Sequence, residues 1–175
     1  FPHDSGKHDL AAEALLTHLG ARQAIVCPAF PTNKRTVYQG NLFVGDVPLS
    51  ESPMKDHPLT PMRDSNLARV LQRQTKLNVG TVPFAIVDAG AAAIKAAMAA
   101  ADARDERFLV LDAITDRHLV DMGTAAEGMK LITGGSGVAL GLPANFVRQG
   151  LMKSAAAPTS MRAPVLSWRA LRITR

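Results

Sequence analysis

Short apolar segments alternate with helical patterns over the second half of the chain, and this alternation constrains the fold more than any other feature. Val79 to Val82, Phe108 to Leu111 and Leu131 to Thr133 have the composition of strands. The alanine-rich segment Ala91 to Ala103 and the segment Asp116 to Ala126 predict helices between them. Such β-α-β units imply a mostly parallel sheet with helices on its faces. We therefore predict an α/β fold, a three-layer sandwich whose ligands bind beyond the carboxyl ends of the strands.

The first half of the chain predicts another strand and a hairpin. Leucines and alanines at helical spacing indicate a helix from about His8 to Leu19, and Gln23 to Cys27 has the pattern of a short buried strand. One strand is expected from Thr36 to Val44, and Val47 to Ser50 is expected to pair back against it as a β-hairpin excursion.

Prolines restrain the loop that follows the hairpin. Each of the three prolines in residues 51–61 removes a backbone donor and restricts the residue before it, so an ordered excursion is expected. After this loop, Asp64 or Ser65 is expected to cap a helix that runs to about Thr75.

The composition fits one packed domain in a reducing compartment. A chain of 175 residues with 47% hydrophobic content can bury a core. Cys27 is the single cysteine, which excludes an internal disulfide and leads us to expect a cytoplasmic protein. The sequence contains no run of about 18 apolar residues and no signal-peptide pattern, so a membrane is not an expected partner.

The net charge of +5 arises at the end of the chain. Residues 151–175 contain five basic residues and no acidic one, so the first 150 residues carry 15 of each sign. Trp168 is the one aromatic residue in this basic segment. Because single-stranded nucleic acids are commonly bound by stacking on several aromatic rings, nucleic acid is not an expected partner.

A glycine-rich turn marks the predicted ligand edge. Gly134, Gly135, Ser136 and Gly137 follow an apolar strand pattern and precede a second apolar segment, as in a strand, turn and helix start. The first amides of a helix present partial positive charge, which suits a carboxylate or phosphate. The alternative is that Ser136 only caps its own helix.

Several charged residues are candidates for contacting a small acid. Lys34 and Arg35 lie in a proline-bounded loop, and the guanidinium of Arg35 is suited to holding a carboxylate through two hydrogen bonds. Asp112 follows a predicted strand and could bind substrate hydroxyls. Asp56 and His57 lie in the proline-rich loop and could accept or polarise a hydroxyl proton. The alternatives are solvated cations, a turn-capping aspartate and a structural histidine.

Other reactive residue types give no site. The five histidines lack the spacing of a zinc site, so no metal site is proposed, and no catalytic residue is assigned. Cys27 is interpreted as a buried structural residue. Four of the seven methionines are interpreted as core residues: Met62, Met98, Met122 and Met129. The glycine turn lacks the lysine that a phosphate-binding P-loop requires.

Three separated segments resemble the amino-terminal domain of the four-carbon acid sugar kinases, the 3-oxo-tetronate and threonate kinase family. They are residues 27–46 (CPAFPTNKRTVYQGNLFVGD), 51–62 (ESPMKDHPLTPM) and 133–143 (TGGSGVALGLP), and the similarity extends from about Lys7 to Phe146. Members of this family phosphorylate a four-carbon sugar acid with ATP and Mg²⁺, using an amino-terminal substrate domain and a carboxy-terminal nucleotide domain.

The resemblance implies roles for the candidate residues. Arg35 would contact the carboxylate of a sugar-acid substrate, and Asp112 and Asp56 would contact its hydroxyls. The amides of Gly134 to Gly137 would bind an anionic group, and the segment around Asp112 is a recognisable feature of the family.

The same resemblance implies an incomplete kinase. Residues 1–150 are interpreted as a partial sugar-acid-binding domain and residues 151–175 as a linker and an aberrant basic tail, truncated at both ends relative to the family, without the nucleotide-binding domain. Alone, the chain is expected to bind neither ATP nor Mg²⁺ and to lack kinase activity. The alternative is a non-catalytic module that binds a small acid, self-associates, or associates with a nucleotide-binding domain.

Overall fold

A computed structural model describes residues 7–153 of the chain, so most of the predicted basic tail lies outside the described residues. The strands in chain order are β1 Ala24–Cys27, β2 Arg35–Tyr38, β3 Asn41–Val44, β4 Val47–Pro48, β5 Asn78–Val82, β6 Glu106–Leu111 and β7 Ile132–Gly134. The α-helices are α1 Lys7–His18, α2 Leu67–Gln72, α3 Phe84–Asp88, α4 Ala91–Ala103, α5 Asp116–Ala125 and α6 Pro143–Arg148. Short 3-10 helices span Pro31–Asn33, Leu49–Glu51 and Ser136–Gly141.

The main sheet has four parallel strands in the order β5-β6-β1-β7, which confirms the α/β fold class. All four residues of β1 are buried, as are the last four of β6. Because successive side chains of a strand point to opposite faces, burial of every residue means that both faces of the sheet are covered. The core therefore lies on both sides of these two central strands, as predicted for layers above and below a parallel sheet.

A second sheet is antiparallel and consists of β2, β3 and β4. The prediction of one strand from residue 36 to 44 was wrong, since the chain turns back at Gln39 and Gly40, which have φ of 51° and 70°. This turn joins β2 to β3. The outer edge of β2 bonds to the segment that follows β6, because Val37 and Ala113 exchange backbone hydrogen bonds of 2.8 and 2.9 Å.

Helix boundaries differ from the sequence predictions at two places. The predicted helix ending near Thr75 is the shorter α2, and its cap is Asn66, whose side chain accepts the Arg69 N–H at 2.8 Å. Asp64 instead accepts the backbone N–H of Asn66. Helix α3 was not predicted because it has only five residues, fewer than two helical turns, which is too short to show a helical spacing of apolar residues.

The described part of the chain contains no helix that is both long and apolar enough to cross a membrane.

Candidate functional site

The carboxyl ends of the four parallel strands form the candidate edge, and Asp112 lies at its centre. Asp112 directly follows β6 and is only 1% exposed. Its Oδ2 accepts the backbone N–H groups of Gln39 and Phe84, each at 2.8 Å, and its Oδ1 accepts that of Gly40 at 2.9 Å. Three backbone donors therefore satisfy the buried carboxylate, as burial of a charge requires.

Asp112 fixes the hairpin turn against the main sheet. Both turn residues, Gln39 and Gly40, donate to the same carboxylate, and Gln39 holds the left-handed backbone conformation that a non-glycine residue adopts at a cost. The backbone N–H of Phe84 ties the start of α3 to the same carboxylate. The contacts of Asp112 thus show a structural anchor, while its predicted contact with substrate hydroxyls stays a prediction.

The glycine-rich turn lies at the carboxyl end of β7, next to the end of β1. Gly134 pairs in register with Cys27, and a Cβ on Gly134 would lie 2.1 Å from the Cys27 carbonyl oxygen. A Cβ on Gly137 would lie 2.4 Å from the Ala29 carbonyl oxygen. These glycines therefore permit close contact between two backbone segments, a reason for their presence that the sequence did not reveal.

A 3-10 helix, rather than an α-helix, follows the glycine turn. Ser136 is its first residue and is exposed, while Gly135 occupies the N-cap position and no side chain caps the helix. The alternative role for Ser136, as the cap of its own helix, is therefore not observed. Anion binding by the amides of Gly134 to Gly137 stays a prediction.

Arg35 is exposed at the start of β2, next to the candidate edge. Its backbone N–H and C=O bond to Phe30 at 3.1 and 2.8 Å, which closes the loop that holds Lys34. Among the side chains that the structure describes, from residue 11 to 153, neither the guanidinium of Arg35 nor the ammonium of Lys34 has a hydrogen-bond or ion-pair partner. Two neighbouring cations without a protein counter-charge are therefore available to an anion.

Thr32 and Asp116 form a contact in this region that the sequence interpretation missed. Asp116, the first residue of α5, accepts the Thr32 backbone N–H at 3.3 Å and also the Thr32 hydroxyl. Asp116 was expected only to start its helix, and a local pattern could not reveal a partner 84 residues away. The pair holds the loop before Arg35 against the segment that follows Asp112.

Asp56 and His57 lie apart from this group. Asp56 pairs with Arg63 at 3.8 Å, and both side chains are largely exposed. The Nδ1 of His57 accepts the Thr60 backbone N–H at 3.2 Å. No hydrogen bond or ion pair within the described residues joins either side chain to Asp112 or to the glycine turn. The structure thus does not bring these two candidates to the carboxyl edge, and their contact with substrate stays a prediction.

Cys27 is buried, as expected for a structural residue. Its side chain is inaccessible, and burial raises the pKa of the thiol to about 12. Because the thiolate is the reactive form, this cysteine is a poor nucleophile. The four methionines also contribute to the core: Met98 and Met122 are buried, while Met62 and Met129 pack against the core with part of their surface exposed.

A buried histidine behind the edge was not predicted as part of the site. His118 on α5 is 1% exposed and lies between the backbone of Ile114 and the carboxylate of Asp88. The signal was present in the sequence, since residues 118, 119 and 122 share the apolar face of α5. Its partners, Asp88 on α3 and Ile114 in the loop before α5, could be identified only from the tertiary structure.

Comparisons with known proteins match most of the chain. A family model described as a sugar-binding N-terminal domain matches residues 4–142. A curated 3-oxo-tetronate kinase of Burkholderia multivorans is 51% identical over 145 residues, which are 83% of this chain and 34% of that protein. The chain therefore spans about a third of the length of the curated relatives it matches.

Solved structures show the same fold. A Haemophilus influenzae protein superposes with a TM-score of 0.75 at 40% identity, over 83% of this chain and 35% of that one. A Bordetella bronchiseptica protein, described as a domain-swapped dimer with bound citrate, gives a TM-score of 0.56 at 28% identity, over 75% of this chain and 31% of that one.

Proposed function

The chain belongs to the family of sugar-binding amino-terminal domains, and from this premise we propose that it is the substrate-recognition part of an ATP-dependent kinase. The substrate would be a four-carbon sugar acid of the 3-oxo-tetronate or threonate type. Relatives named 3-oxo-tetronate kinase, at 51% and 50% identity, support this proposal. Since the chain covers about a third of those proteins, the proposed role is recognition rather than the complete phosphoryl transfer.

The two unpartnered cations, Lys34 and Arg35, are the observation that carries the proposal. The loop that holds them closes at Phe30, which lies against Gly137 of the glycine turn. The guanidinium of Arg35 would hold the substrate carboxylate through two parallel hydrogen bonds. Backbone amides between Gly134 and Gly137 would accept a second anionic or polar group. The glycine turn follows β7, and ligands of parallel α/β sheets bind beyond the carboxyl ends of such strands, which supports this arrangement.

The aspartates and the loop histidine would have different roles. Asp112 would support the site by fixing the hairpin that carries Arg35, because its oxygens already accept three backbone N–H groups. Asp56 and His57 would reach the hydroxyls of the sugar acid from the proline-rich loop. The exposure of Asp56 and its weak 3.8 Å ion pair leave that side chain free to reorient, whereas His57 would have to release its hydrogen bond from Thr60.

ATP and Mg²⁺ would be bound by the part of the relatives that this chain does not match. Phosphoryl transfer requires a cradle for the nucleotide phosphates and a metal ion beside them. Among the side chains that the structure describes, no group of three or more metal-ligating residues occurs. We therefore propose acid binding without ATP binding for this chain, in the cytoplasm where its single thiol remains reduced.

Self-association is the second candidate function. The Bordetella bronchiseptica relative forms a domain-swapped dimer and binds citrate, a small polycarboxylate. A small-acid-binding module that pairs with a second copy, or with a nucleotide-binding domain, would use the same carboxyl edge for its ligand.

Calorimetric titration of the full chain with threonate, with ATP and with both tests the proposal. We expect heat of binding for threonate, none for ATP, and at least tenfold weaker threonate binding in Arg35→Ala, since a charged hydrogen bond is worth about 1.5–3 kcal/mol. Arg22→Ala is the matched control, because Arg22 pairs with Asp102 at the opposite, amino end of β1. Absence of threonate binding, or equal loss in both variants, would contradict the proposal.

A further inference from the structure

His118 is a buried titratable residue to which the proposed function assigns no role. It lies on α5 with 1% of its surface exposed, and its Nδ1 accepts the backbone N–H of Ile114 at 3.1 Å. The ring of Phe84 packs edge-on against the imidazole at 5.6 Å between centroids. Because an N–H donates to Nδ1, that atom carries no proton, and the neutral ring holds its proton on Nε2.

Asp88 orients the other side of the ring. The Nε2 of His118 lies 3.2 Å from Asp88 Oδ1, which also accepts a hydrogen bond from Arg117. Arg117 is in turn held by Asp121 at 3.0 Å. Since arginine only donates, the 3.2 Å approach of its Nη2 to His118 Nε2 results from their shared acceptor. The carboxylate thus fixes both the tautomer and the plane of the imidazole.

The backbone N–H that His118 accepts is that of Ile114, in the loop that connects β6 to α5. A residue on each side of Ile114 makes a contact at the candidate edge. Asp112, two residues before Ile114, binds the hairpin turn, and Asp116, two residues after it, binds Thr32. Ile114 itself is 37% exposed, so packing alone does not fix this part of the loop. Ala113, on one side of Ile114, is bonded to Val37, and the carbonyl of Thr115, on the other side, accepts the His118 backbone N–H. The bond to the His118 side chain ties Ile114 itself to α5.

We propose that His118 is a positioning residue of the sugar-acid site, which it acts on from behind by fixing the backbone of Ile114 between Asp112 and Asp116. This inference rests on the proposed function of the carboxyl edge. If the loop between β6 and α5 were displaced, Asp116 would move with it. Because Asp116 binds Thr32, the loop that leads into Arg35 would then move as well. His118 itself does not contact the ligand.

Two substitutions of His118 distinguish the roles of its two ring nitrogens. In His118→Asn the side-chain oxygen can occupy approximately the place of Nδ1 and still accept the Ile114 N–H. In His118→Gln the longer amide reaches toward Asp88 and leaves the Ile114 N–H without its acceptor. Both variants lose the ring contact with Phe84. Because asparagine is one methylene shorter than glutamine, a pure packing loss would make His118→Asn the more disturbed variant, which is the opposite of the order expected from the hydrogen bond to Ile114.

Amide hydrogen exchange in the full chain measures the positioning directly. We expect exchange at Ile114 to be at least tenfold faster in His118→Gln and close to wild type in His118→Asn, after normalisation to Leu109 in the core strand β6. Threonate binding should weaken about tenfold in the first variant and less than threefold in the second. Equal exchange at Ile114 in both variants would overturn the proposal.

Measurements on the wild-type chain test the same hydrogen bonds of His118 if either variant does not fold. Nitrogen-15 shifts of the imidazole should show an unprotonated Nδ1 and a protonated Nε2, and a proton on Nδ1 would overturn the inference. Asp88→Ala, at a half-exposed position, should also speed exchange at Ile114. If wild type shows the expected tautomer and protection but binds no threonate, the function of the edge is wrong while the anchoring of Ile114 stands.

Discussion

At the scale of single residues, the Asp112 carboxylate joins three elements through backbone bonds. In Asp112→Asn, one oxygen is replaced by an NH₂ group that faces N–H donors, so at least one buried donor loses its acceptor. We expect the free energy of unfolding to fall by about 3 kcal/mol. Urea denaturation measures the loss. Asp46→Asn, at an exposed turn, is the control and should change stability by less than about 0.5 kcal/mol. Similar midpoints for the two variants would contradict the anchoring role.

Cys27 allows a second test at the same scale. Its buried thiol, with a pKa raised to about 12, should not react with a disulfide reagent at pH 8 until the chain unfolds. Labelling should therefore accelerate with urea in parallel with the loss of structure. A matched control is Asp46→Cys combined with Cys27→Ser, in which the exposed thiol should react without denaturant. Rapid labelling of the native wild-type chain would contradict this prediction, because it would show that the reagent reaches Cys27 at the end of β1 without unfolding.

At the scale of elements, the contact between β7 and β1 depends on the missing side chain of Gly134. A Cβ there would meet the Cys27 backbone at 2.1 Å, and a backbone atom cannot rotate away as a side chain can. We expect Gly134→Ala to cost about 3 kcal/mol or more in urea denaturation. Gly135→Ala should cost less, because its Cβ would lie 3.3 Å from the nearest atom. The reverse order of the two variants would refute this account.

The β2–β3 turn makes an independent prediction for the second sheet. Gln39 has a φ of 51°, a conformation that glycine adopts without penalty. Gln39→Gly keeps the N–H that Asp112 accepts and should raise the free energy of unfolding by about 1 kcal/mol. Gln149→Gly, at a φ of −80°, relieves no strain and should not stabilise the chain. Thermal unfolding of both variants compares them, and stabilisation by Gln149→Gly alone would contradict the turn geometry.

At the scale of the whole molecule, the main sheet was predictable and the connections that build the site were not. Strand β6 is visible in sequence because its last four residues are apolar and buried on both faces. The split between β2 and β3 was missed because glutamine is an uncommon residue in a left-handed turn. Asp112 could be placed at a strand end, but its partners Gln39 and Gly40 lie 73 and 72 residues away, where no local pattern connects them.

The stability of the whole fold should depend on the charge of Asp64. Hydrogen bonds from Arg69, together with those from Asn66 and Arg73, hold the pKa of this carboxyl well below its usual range. A pKa lowered by folding stabilises the native state above the unfolded-state pKa of about 3.9, and this contribution is lost as the pH falls toward the folded-state value.

Asp64→Asn tests this dependence, since asparagine cannot titrate. At pH 7 the variant should be about 1.5 kcal/mol less stable than wild type, the lower limit for a hydrogen bond to a charged group. The difference should narrow between pH 5 and pH 2, because only wild type loses its carboxylate interactions there. Urea denaturation across this range measures both curves, with Asp46→Asn as the exposed control. Parallel curves for wild type and Asp64→Asn would show that other carboxylates govern unfolding in acid.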